Sequence, residues 1–87
     1  MELKQLEYFM AVCKELHFTR AAEKLGIAQP SLSQQIRLIE HEIGTPLFDR
    51  LGKKIAITEA GKILQQYSYN VFHELLQAQS AISELQV

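Results

Sequence analysis

Residues 18–43, FTRAAEKLGIAQPSLSQQIRLIEHEI, decide how this chain folds. The stretch 19–25 reads as a short helix with a small-residue face, and Gly26-Ile27-Ala28 breaks it. A second helix starts at the Gln29-Pro30 pair and continues to residue 43. That is the pattern of a helix-turn-helix, whose second helix lies in a DNA major groove. Within the second helix, Leu32, Ile36, Ile39 and Ile43 form one apolar stripe. At about 100° per residue, Pro30, Ser33, Gln34, Arg37 and His41 are expected on the opposite, exposed side. A merely soluble face usually carries Lys and Glu, whereas this one is uncharged and hydrogen-bonding at its N-terminal end. Amides pair with adenine, guanidinium suits guanine, and hydroxyls donate or accept. Pro30 fits the first helical position, which leaves Gln29 as an unusual cap residue, its side chain kept for base contact. The competing reading has Ser31 or Ser33 capping the helix and Gln34 as ordinary surface.

Working outward, Thr19 is the expected N-cap of the shorter helix, with Ala21, Ala22 and Leu25 facing inward. Small side chains allow two helices to cross steeply, and Gly26 supplies the left-handed residue that ends the first of them. Upstream, Leu3, Leu6, Phe9, Met10, Cys13 and Leu16 have helical spacing, so residues 3–16 read as an amphipathic helix packed under the motif. Cys13 and His17 lie one turn apart, but two ligands without a third make a poor zinc site. No metal and no cofactor are expected. Downstream, Gly44 and Thr45-Pro46 end the reading helix. Leu47-Phe48 anchor one strand, Ile55 and Ile57 a second, and Leu51-Gly52-Lys53 the turn between them. With Arg50, Lys53 and Lys54 near its tip, this hairpin reads either as a wing touching phosphates or the minor groove, or as a solvated basic turn. Thr58 and Glu59 start a last helix that runs to about the C-terminus. In it Leu64, Val71, Ala78 and Leu85 repeat by heptads, Ser68, Leu75 and Ile82 fill the other seam position, and Tyr67 and Phe72 widen the stripe. A second copy of the chain is the economical cover for that stripe.

Eighty-seven residues make one domain with a small core. The chain is 47% hydrophobic and 22% charged, as in an ordinary globular protein. It has no apolar run long enough to span a membrane and no signal-type N-terminus, and its single cysteine fits a reducing cytoplasm. The net charge of -1 disfavours DNA at first sight. However, all nine Lys and Arg residues lie at or before Lys62, so only the first part can carry a basic surface, diluted there by Glu40, Glu42 and Asp49. The near-neutral charge, with Glu40 and Glu42, motivates a second hypothesis, a helical dimerisation or docking module without DNA binding. An enzyme is not expected, since no nucleophile has a base at fixed spacing and Ser31 and Ser33 lie in no nucleophile elbow.

The run AAEKLGIAQPSLSQQIRLIEHEIGTPLF, followed by DR and ITEAGK, resembles the N-terminal domain of LysR-type transcriptional regulators over nearly the whole chain. The resemblance implies a mainly α fold: a winged helix-turn-helix over 1–58 (motif 18–37, wing 47–57), then a long dimerisation or linker helix over 59–87. It further implies a bacterial activator or repressor acting on promoter DNA as a homodimer, with tetramers among full-length members. By analogy Gln29, Pro30, Ser33 and Gln34 approach bases, Thr19, Ser31 and Arg37 the backbone, and Arg50, Lys53 and Lys54 serve the wing. Leu64, Val71, Leu75, Ile82 and Leu85 pair the long helices. Many members carry arginine in place of Gln34 and Lys53, which shifts the expected base at Gln34 toward adenine and weakens minor-groove insertion. Full members carry a C-terminal effector-binding domain, so a small-molecule effector is expected to act only through a domain beyond Val87, and the chain is expected to be a fragment.

Overall fold

Helix α1 spans Leu3–Glu15 because Leu6, Phe9, Val12 and Cys13 recur on one side and are all buried. A capping box between Glu2 and Gln5 starts it. It ends at Leu16, a non-glycine residue in the left-handed region (φ 48°) whose N–H bonds to the Val12 carbonyl. The computed structural model describes residues 1–52 and 54–86.

Helix α2, Phe18–Leu25, corrects the sequence reading at its start. The cap is His17, whose imidazole Nδ1 accepts the Arg20 N–H at 3.1 Å. Thr19 lies inside the first turn and is exposed. An imidazole acceptor here does what a serine oxygen does at other helix starts, binding a backbone donor that the helix itself cannot use. Ala21 and Ala22 are buried where α2 meets its neighbours. Gly26 (φ 71°) closes the helix, and Ile27 N–H reaches back to the Ala22 carbonyl at 3.0 Å.

Helix α3, Gln29–Ile43, begins one residue earlier than Pro30. Ala28 is its N-cap and no side chain caps it, so neither Gln29 nor either serine has that role. Leu32, Ile36 and Ile39 are buried as expected, while Ile43 stays partly exposed. The hairpin pairs β1, Phe48–Leu51, with β2, Lys54–Ile57, antiparallel, Phe48 opposite Ile57 and Leu51 opposite Lys54. Lys53 lies outside the described residues.

Helix α4, Glu59–Glu84, has 26 residues, a length of about 39 Å at 1.5 Å per residue. Its start is fixed by Thr58. The Thr58 hydroxyl accepts the Gly61 N–H at 3.0 Å and donates to the Pro46 carbonyl at 2.8 Å. Thr58 N–H also donates to the Leu47 carbonyl at 3.0 Å. Gly61 sits where a Cβ would collide with that same Leu47 carbonyl and lie 2.6 Å from Ile57 Cγ1. The Thr-Glu-Ala-Gly run therefore welds α4 to the base of the hairpin.

The core gathers Phe9, Val12 and Cys13 of α1, both alanines of α2, the stripe of α3, Leu47 and Phe48. Phe48 packs on Phe9 (centroids 5.5 Å) and edge-on against Phe18 (6.2 Å). Each such large side chain contributes about 1.5–3 kcal/mol by leaving water.

Candidate nucleic-acid interface

The α3 face away from Ile36 presents Pro30, Ser31, Gln34, Arg37, Leu38 and His41, all exposed. Gln34 and Arg37 are thus open to an approaching groove, as expected. Ser33 is not. It is 5% exposed and lies on the inner flank of the helix, three residues from Ile36 and therefore on nearly the same side. Its Oγ accepts the Gln29 amide N–H (Nε2) at 2.6 Å, and Gln29 is itself half-buried. The sequence reading overlooked Leu38. At 45% exposure it stands on the outward side, one turn after Gln34, where no polar pattern marks it.

Around this face the cations are not spent on carboxylates. Among the described residues Arg37, Arg50 and Lys54 form no ion pair, and all three are exposed. Arg50 shares a strand face with Phe48, and its guanidinium stacks over the Phe18 ring at 4.7 Å. That contact holds the charge beside the start of α2 rather than at the hairpin tip, and is worth about 0.5–1 kcal/mol at an exposed site. Thr19 and Arg20 are exposed on the adjacent first turn. Two of the three acids that seemed to dilute the surface are occupied. Glu40 accepts the Leu47 N–H at 2.8 Å, on the inner side of α3, and Glu42 takes the N-terminal ammonium at 3.0 Å.

No group of three His, Cys, Asp or Glu residues is arranged for a metal among the described residues. Burial pushes the Cys13 thiol up to about 12, so at neutral pH it is a packed thiol and a poor nucleophile. No helix among the described residues is long and apolar enough to cross a membrane.

The long helix departs from its heptad reading. Ser68 is buried at 1% exposure, with its hydroxyl unpartnered, and Leu64 packs against the core, so both are turned toward the chain's own body. The free stripe instead follows Ile63, Tyr67, Val71, Leu75 and Ile82, all exposed. With Leu3, Asn70 and Glu74, three of them (Tyr67, Val71 and Leu75) line an open groove of about 430 Å³ whose surface is almost wholly apolar. Leu85 is the C-cap and is exposed.

Three comparisons accord with this geometry. The profile of the bacterial regulatory helix-turn-helix proteins of the lysR family matches residues 3–62. The HTH-type transcriptional regulator BudR of Klebsiella aerogenes is 61% identical over 62 residues, 71% of this chain and 43% of BudR. The probable cat1 operon transcriptional activator of Acinetobacter lwoffii is 44% identical over 81 residues, 93% of this chain and 27% of that protein. The chain thus spans less than half the length of these relatives. Among solved structures, the crystal structure of the BenM_DBD/benA site 1 DNA complex superposes with a TM-score of 0.90 at 40% identity, covering 98% of this chain and 99% of that one.

Proposed function

The chain belongs to the LysR family of bacterial regulatory helix-turn-helix proteins, and on that premise we propose that it binds double-stranded promoter DNA in a sequence-specific way as a pair. Residues 1–58 are the reading unit and α4, Glu59–Glu84, the pairing helix. The observation that carries the reading is the outward face of α3. Gln34 and Arg37 stand clear of the protein on a helix whose opposite side is sealed into the core. In this reading Gln29, Pro30 and Gln34 are the residues for base edges, and Thr19, Ser31 and Arg37 for the flanking backbone. Arg50 and Lys54 supply the hairpin's charge to phosphates, with Lys53 assigned there by sequence alone.

The exposed stripe on α4 supports self-association. Ile63, Tyr67, Val71, Leu75 and Ile82 leave a run of large apolar side chains in water, the kind of surface that marks an interaction site. A cytoplasmic setting follows from the proposed substrate, the chromosome, and any response to a small molecule belongs to a further domain of the kind its longer relatives have room for. The docking-module alternative is weakened, because Glu40 is spent on the Leu47 N–H and Glu42 on the N-terminal ammonium.

Selection of bound fragments from a random duplex pool tests the proposal. The expected product is an inverted repeat, mirroring a two-fold pair. Recovery of unrelated sequences sinks specific reading. On the selected site, log affinity should fall against log salt with a slope of about -5, since each neutralised phosphate contributes about -0.9. Salt-independent binding counts against the phosphate contacts.

A further inference from the structure

We propose that Ser33 acts as a positioning residue, holding the Gln29 amide ready for bidentate reading of a single adenine, and does not itself meet the DNA. The proposal rests on the DNA-binding reading above and assigns a role within the same site. Gln29 occupies the first helical position of α3 and Ser33 the same side one turn later. The amide Nε2 donates to Ser33 Oγ at 2.6 Å. Ser33 is 5% exposed, so its oxygen is turned to Gln29 and away from solvent. Its own hydrogen is free to bond the carbonyl one turn back, as helical serines do.

An amide group has two N–H donors and one carbonyl acceptor. Ser33 takes one donor. What remains on Gln29 is Oε1 and the second N–H, the complementary pair for adenine N6–H and N7. A glutamine side chain loses rotamer freedom when it is fixed, and a tether present before binding removes that cost from the encounter. Gln34 makes the contrast. It is exposed and has no hydrogen-bond partner among the described residues, so it must be ordered by the DNA itself. The two glutamines of the reading face therefore differ in kind: Gln29 is prepared, Gln34 adaptable.

The test is pool selection and affinity measurement on wild type, Gln29→Ala, Ser33→Ala and the double variant. Gln29→Ala should erase the preference at one base pair and weaken binding by about 10- to 100-fold. Ser33→Ala should soften the preference at that same pair and weaken binding by about 2- to 10-fold, and the double variant should be no worse than Gln29→Ala alone. Replacing the adenine at that position by 7-deazaadenine, which lacks the N7 acceptor, should cost wild type more than it costs Ser33→Ala. Ser33→Thr should keep the preference, and Ser33→Val, of the same shape without the hydroxyl, should lose it, which separates the hydrogen bond from packing. Multiplying losses in the double variant, a Ser33→Ala change at a different base pair, or an equal loss on every sequence overturns the positioning role while leaving DNA binding intact. Failure of the wild type to enrich any common sequence overturns both.

Discussion

Up to the hairpin, Phe9, Leu32, Ile36, Ile39 and Leu47 are almost completely enclosed, and Gln34, Arg37, Arg50 and Lys54 stand outward with Leu38 among them. Along α4 the pattern inverts. Ile63, Tyr67, Leu76 and Ile82 are each more than half exposed, and only Gly61 and Ser68 are buried. The first region completes its own core and spends its surface on polar recognition. The second lacks a core of its own and leaves apolar surface in water, the surface that the proposed pairing would cover. One small chain thus divides reading from pairing by which side of a helix it leaves wet.

The contrast can be broken at its strongest point first. Ile36→Ala opens a cavity beneath the reading face and should cost about 2–5 kcal/mol, visible as a lower urea midpoint. A loss below about 1 kcal/mol would mean the core is looser than the buried stripe implies. Leu75→Glu puts a charge into the free stripe of α4. Sedimentation should shift to the single-chain mass, while the melting of the first region stays where it was. A mass that does not change removes α4 from pairing. Gly61→Ala joins the two regions in one experiment, because the new methyl meets the Leu47 carbonyl. A loss of about 1–3 kcal/mol is expected, with pairing of the surviving folded chains weakened if the helix must tilt. The smallest effect is His17→Ala, which removes the α2 cap for about 1 kcal/mol, with His17→Asn restoring it; an unchanged melt for both would deny the imidazole its role.

Periodicity disclosed the helices, the hairpin and the core, because the Leu32, Ile36, Ile39 repeat and the alternation at Ile55 and Ile57 are burial patterns written directly in residue type. Polar residues beside those stripes were harder to place. Ser33 is only three positions from Ile36, and a hydroxyl looks alike in sequence whether it faces solvent or is claimed by Gln29. Thr19 lost the cap to His17 because an imidazole acceptor gives no familiar signal. On α4 the heptad count could not tell which residues its own domain would take, so Leu64 and Ser68 were assigned outward when Leu64 packs on the core and Ser68 is buried. Arg50 illustrates the remaining gap: its stacking on Phe18 links residues 32 positions apart, which no local pattern contains.

The corner made by Pro46, Leu47, Thr58 and Gly61 has a geometric consequence. It has no slack, so the bearing of α4 relative to α3 is fixed within each subunit. In a symmetric dimer the gap between the two reading helices is then fixed by where along α4 the contact forms. Sliding that contact by one helical turn, about 5.4 Å, would change the span by a comparable amount and throw the second reading helix out of phase with the roughly 34 Å repeat of the duplex. The permitted half-site interval is in this sense a length measured by the protein's own backbone.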